Sequence, residues 1–338
     1  MTCSQWSPDL LGAPFEARSI PLGPDPDGES EVSATLVRQL ADQGESPAEP
    51  RRAVLYVHGF TDYFFQRHLA AHFVEHGIDF YALDLRKCGR SLHPGQTPHY
   101  ISDLALYDRE LEAAMKLIGP AETLLMAHST GGLILPLWLD RLRRAGRAPR
   151  TLGITGLVLN SPWLDLQGPA FLRSVGTVAI NTVGKVRPRT ALPTELSSAY
   201  GDSLYAGAGG EWDYNLDWKP LSGFPVLAGW LSAVRQGQAE LHRGLDIGVP
   251  SLVLRSARTH YSRKFGPDSS SADTVLDVRQ IARWSGCLGD RNTTVPIDGA
   301  LHDVFLSAPA ARAAAFSEVD TWLADLERRN SNPTLQES

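Results

Sequence analysis

Leu124-Leu125-Met126-Ala127-His128-Ser129-Thr130-Gly131-Gly132 sets a serine between an apolar run and a glycine pair. Thr123–Ala127 has the apolar density of a strand buried on both faces, and residues 131–145 read as a helix that follows at once. A strand that turns sharply into a helix pinches the backbone, so the positions two before and two after the turning residue must be small. Here they are Ala127 and Gly131, giving A-x-S-x-G where glycine more often stands first. Such a turn lifts the Ser129 hydroxyl clear of the sheet. It also puts the Thr130 N–H at the positive end of the new helix, where an oxyanion would be stabilised. Taken alone, the same letters also describe a serine that merely caps a helix.

Working outward, the chain alternates short apolar runs with helical patterns. Phe15–Leu22 and Glu31–Arg38 form a hairpin around the turn-forming PDPDGE, followed by an exposed loop at residues 42–50. Strands are expected at Ala53–Val57, Phe80–Leu83, Ile154–Leu159, Ser251–Leu254 and Thr293–Ile297. Helices are expected at His68–His76, Asp103–Ile118, Asp277–Leu288 and Pro309–Arg329. This alternation predicts an α/β fold, a mostly parallel sheet with helices on both faces and the hairpin as an antiparallel edge. It fails between about Gln167 and Gly248, where aromatics crowd between glycine-rich turns. That span is too long for a plain loop and predicts a subdomain with its own packing.

A serine hydroxyl needs a positioned base to become nucleophilic. His302, in Gly299-Ala300-Leu301-His302-Asp303, follows the last strand, where a loop end can face the serine. The imidazole in turn needs an acid to fix its tautomer. Asp273 sits between the Ser251 strand and the next helix. Asp165, Asp277 and Asp268 are rivals at this stage, Asp277 reading more simply as a solvated first-turn residue. Val57-His58-Gly59-Phe60 offers a second oxyanion donor in the Phe60 N–H, with His58 bracing the loop.

These segments together, with Asp84-Leu85-Arg86-Lys87-Cys88-Gly89-Arg90-Ser91 after the second buried strand, resemble the α/β-hydrolase superfamily. Within it they are most similar to the serine aminopeptidase S33 branch, which includes monoacylglycerol lipase and lysophospholipase-like enzymes. The resemblance covers roughly residues 50–166 and 249–328. It implies an eight-stranded sheet, with residues 1–166 and 249–338 as the catalytic domain. It also implies a helical lid at 167–248 inserted after the sixth strand. Further, it implies Ser129, Asp273 and His302 as a triad, with Phe60 and Thr130 as oxyanion donors. Ala127 and an unfamiliar lid are the departures.

The rest of the sequence narrows the function. Among 338 residues, a formal net charge of −6 argues against nucleic-acid binding, which wants clustered Lys and Arg. Three scattered cysteines, Cys3, Cys88 and Cys287, suggest a reducing compartment. The first residues lack a signal-peptide pattern and no run is long enough to span a bilayer, so a cytoplasmic protein without stable membrane insertion is expected. His68, His72 and His76 share a helix face at zinc-compatible spacing, but with no carboxylate or cysteine joining them they read as a solvated face. Neither metal nor cofactor is expected. Trp212, Tyr214, Trp218 and Trp230 read equally as lid core or as the substrate-binding wall. The expected substrate is a small acyl compound, an apolar carboxylic ester or a monoacylglycerol- or lysophospholipid-like lipid. The alternatives are an aminopeptidase or amidase holding a free amine with Glu211 or Asp213, an acyltransferase, and a non-catalytic binding protein.

Overall fold

Period-two alternation is what builds the sheet. In the strand Arg51–Val57, Val54 and Tyr56 face one side while Leu55 and Val57 face the other, and all four are buried. The computed structural model describes residues 5–42, 50–166, 183–193, 198–262 and 265–331. Among them the strands are β1 (Ser7–Pro8), β2 (Glu16–Gly23), β3 (Val32–Gln39), β4 (Arg51–Val57), β5 (Asp79–Asp84), β6 (Ala121–His128), β7 (Ile154–Asn160), β8 (Ser251–Ser256) and β9 (Asn292–Ile297). They form one sheet in the order β1-β2-β3-β5-β4-β6-β7-β8-β9. The run from β5 through β9 is parallel, and β1 to β3 supply the antiparallel edge. The two-residue β1, paired to β2 through Ser7 and Pro8, makes nine strands where eight were expected.

Helices cover both faces: α1 (Arg67–Glu75), α2 (Asp108–Ile118), α3 (Gly131–Arg144), α4 (Ala199–Leu204), α5 (Ala228–Leu241), α6 (Val278–Trp284) and α7 (Pro309–Ser331). Two expected helices are shorter than their apolar patterns. Residues 104–107 form a 3₁₀ turn before α2, and α6 gives way to a 3₁₀ turn at residues 285–288. Both begin at an aspartate, Asp103 and Asp277, whose carboxylate accepts a backbone N–H two residues on.

The register decides where chemistry can occur. Val57 lies beside Ala127, Ala127 beside Leu159, and Asn160 beside Leu254. The carboxyl ends of four adjacent strands therefore come level, which is where parallel sheets hold their ligands. The β7–β8 connection, residues 161–250, contributes α4 and α5 and no strand of this sheet among the described residues. Residues 167–182 and 194–197 of the expected lid lie outside the described residues, as do 43–49 of the expected loop. Helix α5 rests on α3, with Gly237 so near Leu137 that a methyl there would sit 2.8 Å from its Cδ1.

Buried charges pin the loops around this end. Arg86 donates to Glu110 through Nε at 2.9 Å, both side chains being buried. Lys87 is fully buried and pairs with Asp25 at 2.6 Å and with Glu29 at 3.1 Å in the β2–β3 turn. Glu29 also pairs with Arg189 of the β7–β8 connection. Burial resists charge on Glu29, but hydrogen bonds from Thr97, Arg189 and Lys87 outweigh it and bring the carboxyl to about 2.

Because that value is depressed, the Glu29 contribution to stability is present above the ordinary carboxylate range and disappears as pH falls through about 2. Glu29→Gln should therefore lower the urea midpoint near neutral pH, with the gap from the parent protein closing toward pH 2. A pH-independent gap would mean that charge is not what Glu29 supplies. Glu110→Gln removes one partner of a buried pair and should cost about 3–5 kcal/mol in the same assay.

Candidate active site

Ser129 stands at the end of β6 with φ +51°, a left-handed backbone that non-glycine residues adopt at a cost of about 1–3 kcal/mol. Three glycines make the turn possible. A methyl on Gly59 would lie 2.8 Å from Ser129 Cβ. One on Gly131 would lie 2.6 Å from the His58 carbonyl oxygen, and one on Gly132 would lie 2.6 Å from Pro162 Cβ. Ser129 N–H donates to the Asn160 carbonyl at 3.0 Å, tying the turn to β7.

The loop after β9 brings His302 to this serine. His302 Nε2 lies 3.0 Å from Ser129 Oγ and its Nδ1 lies 2.9 Å from Asp273 Oδ2. The other Asp273 oxygen accepts the N–H groups of Val275 and Leu276, at 2.8 and 2.7 Å, so the fully buried carboxylate is fixed from two sides. The rivals lie elsewhere. Asp165 pairs with Arg235 at 2.9 Å and accepts from Trp284 Nε1, while Asp277 caps α6. Neighbouring Asp303 holds the histidine loop against the serine turn, accepting from Asn160 Nδ2 at 2.6 Å. Asn160 Oδ1 in turn accepts the Val304 N–H at 3.0 Å.

Neither Phe60 nor Thr130 has an acceptor for its backbone N–H among the described residues. His58 braces the Phe60 loop, its Nε2 accepting the Leu85 N–H at 3.1 Å. Next to this loop lies a buried charge cluster that the sequence did not reveal. Asp62 Oδ2 is 3.2 Å from His128 Nδ1, and Asp62 Oδ1 accepts from Lys219 Nζ at 2.8 Å. Burial opposes charge on Asp62, but Lys219 and His128 overcome it and hold the carboxyl well below the usual range. The His128 and His302 rings are 4.8 Å apart, and Tyr200 meets His302 edge-on at 5.4 Å.

The aromatics of the β7–β8 connection separate by position. Trp230 stacks on Phe60 with ring centres 3.9 Å apart and lies 5.8 Å from Trp163. Trp212 instead stacks on His68 and donates to the Leu306 carbonyl at 2.8 Å. Tyr214 is packed on Phe65, and Trp218 meets Tyr63 edge-on at 5.2 Å. Of these four, Trp230 is the one whose ring contacts include Phe60. Glu211 pairs with Arg312, and Asp213 is exposed.

One sequence expectation needs correction. The histidine face of α1 is not merely solvated. His68 Nε2 donates to the Phe305 carbonyl, His72 meets Asp320, and His76 Nδ1 bonds the His72 carbonyl. His68 and His72 line a seam between α1 and the C-terminal segment, with partners more than two hundred residues away in sequence, while His76 stays exposed. Cys88 does have a base nearby, His99 Nδ1 at 3.2 Å. Burial, with Asp84 and Glu110 adding to it, pushes the thiol well up, so it carries no thiolate reactivity.

A parallel sheet, a serine at the strand-to-helix turn and a histidine after the last strand define an α/β hydrolase. The family model for serine aminopeptidase, S33, matches residues 48–258, and the chain belongs to that hydrolase family. Among solved structures, a soluble variant of the monoglyceride lipase from Saccharomyces cerevisiae, bound to a substrate analogue, is similar at 17% identity and TM-score 0.62. That likeness covers 87% of this chain and 93% of the lipase. The monoacylglycerol lipase of Paleococcus ferrophilus is similar at 18% identity and TM-score 0.57, over 92% of this chain and 99% of the other. No curated protein matches the sequence with significance. The family match includes Ser129 but ends before Asp273 and His302, whose placement here rests on geometry. Among the described residues no helix is long and apolar enough to cross a membrane.

Gly131→Ala tests the crowding at the turn. Its Cβ would meet the backbone carbonyl oxygens of Val57 and His58, which cannot rotate away, so a loss of about 1–3 kcal/mol in urea denaturation is expected. An unchanged midpoint would show that the turn relaxes freely.

Proposed function

We propose that this protein is a serine hydrolase that cleaves carboxylic esters of apolar acyl groups through an acyl-enzyme on Ser129. The observation that carries this reading is the hydrogen-bonded line Asp273–His302–Ser129. His302 Nε2 takes the Ser129 proton as Oγ attacks the acyl carbonyl, and Asp273 holds Nδ1–H and stabilises the imidazolium. The unengaged N–H groups of Phe60 and Thr130 receive the tetrahedral oxyanion, with α3 behind Thr130 adding its positive end. His302 then protonates the leaving alcohol and activates the water that releases the acid.

The β7–β8 connection serves as the cap in this reading, and Trp230 on Phe60, with Trp163 beyond, supplies an aromatic wall for the acyl chain. The monoglyceride lipases similar in fold support an ester of a lipid-like acid. An aminopeptidase would need a free carboxylate for the substrate amine. Glu211 is tied to Arg312, and the charge of Asp62 is already met by Lys219, which leaves the exposed Asp213 as the carboxylate that reading would need.

A fluorophosphonate probe should label the parent protein and not Ser129→Ala, and hydrolysis of p-nitrophenyl esters should vanish with the label. Asp273→Asn should retain the fold while lowering kcat by about 10⁴. Ester hydrolysis by Ser129→Ala at the parent rate sinks the assignment. Faster turnover of aminoacyl-anilides than of esters would move the enzyme to the peptidase side of its family.

A further inference from the structure

Three consecutive residues after Phe60 are each gripped by one short segment of the β7–β8 connection. Thr61 Oγ1 accepts the Phe224 N–H at 3.1 Å. Asp62 Oδ1 accepts from Lys219 Nζ at 2.8 Å, and Tyr63 Oη accepts the Asn215 N–H at 2.7 Å. The gripping segment is itself a braced turn. The Asn215 carbonyl accepts the Lys219 N–H at 3.0 Å, and Asn215 Oδ1 accepts the Asp217 N–H at 2.8 Å.

Several facts show that this contact does more than glue the cap down. Thr61 is β-branched yet has φ +53°, a conformation that persists only where its surroundings enforce it. Lys219 and Asp62 are both almost wholly buried, so neither charge is tolerable without the other. Asp62 also reaches His128, the residue before Ser129, and so joins the Phe60 loop to the serine turn. Trp230, again from the connection, stacks on Phe60 itself.

We infer that Lys219 is a positioning residue for the oxyanion hole: through Asp62 and His128 it fixes the Phe60 N–H against the Ser129 turn, making the cap a working part of the hole. This rests on Ser129 being the nucleophile. The consequence is selective. An oxyanion donor acts in the transition state more than on bound substrate, so its misplacement lowers kcat rather than raising KM. Displacement of about 1 Å can cost about a hundredfold in rate.

The test uses the full chain, with active sites titrated by a fluorophosphonate so that rates are stated per competent serine. Lys219→Met should lower kcat on p-nitrophenyl butyrate by about tenfold to a hundredfold, with KM changed less than about threefold. Affinity for a trifluoromethyl ketone, which adds to Ser129 and places an anionic oxygen in the hole, should fall by a similar factor. Lys219→Arg should recover most of both. A Lys219→Met protein with parent kcat per titrated serine, losing only titratable fraction, overturns the inference and leaves Lys219 as a structural anchor. Should Lys219→Met fail to fold, Thr61→Val decides, because it keeps the β-branch and removes only the acceptor for Phe224. It should show the same fall in kcat at constant KM, and parent kinetics overturn the inference. Failure of the underlying nucleophile assignment looks different, since Ser129→Ala would then still hydrolyse esters.

Discussion

A single backbone angle governs this molecule. Ser129 at φ +51° is a local loss that its surroundings must hold in place. The compensation comes from elsewhere: a register that brings β4, β6 and β7 level, glycines at 59, 131 and 132 that leave room, and the Asn160 carbonyl that takes the Ser129 N–H. Each loosening of those conditions lets the serine fall back toward an ordinary strand end, where its hydroxyl would point into the sheet. The site is thus less a set of reactive groups than a strained geometry that a large, rigid core can maintain.

The histidine loop follows the same logic. Asn160 bonds to both Ser129, through its backbone, and the Asp303–Val304 segment, through its side chain. Asp273, His302 and Ser129 approach from three separate loops, yet two of them are referenced to one asparagine. Asp273 is fixed independently by its own two N–H donors. Orientation here comes from buried polar contacts, where a low dielectric strengthens each bond and makes each loss more costly.

Sequence order carried the framework because the parallel sheet writes itself as alternating apolar runs and helices. The hairpin edge was legible for that reason, and the sequence set Ser129 and His302 on two loops whose side chains the structure brings within 3.0 Å; the break expected near Gln167 falls at residues outside the described ones. Asp273 was readable only as one of several aspartates, because choosing among them requires knowing which loop folds back to the histidine. Lys219 left no trace at all. It lies in a segment without periodicity, far in sequence from Asp62, and a lysine beside tryptophan and proline looks like any surface residue. The histidines of α1 misled for the converse reason: their period showed a face but not that α7 and the Phe305 turn cover it.

The β2–β3 hairpin lies ahead of the segment matched by the family model, which starts at residue 48, yet it is not an appendage. Its turn carries Asp25 and Glu29, which neutralise the buried Lys87, and through Glu29 and Arg189 it reaches the β7–β8 connection. The buried charge network therefore extends beyond the segment that the family model matches. A fragment starting at residue 48 would leave an ammonium stranded in apolar surroundings and expose the flank of β5. In this chain the charge balance of the loop on which Lys87 sits is written into the amino-terminal hairpin.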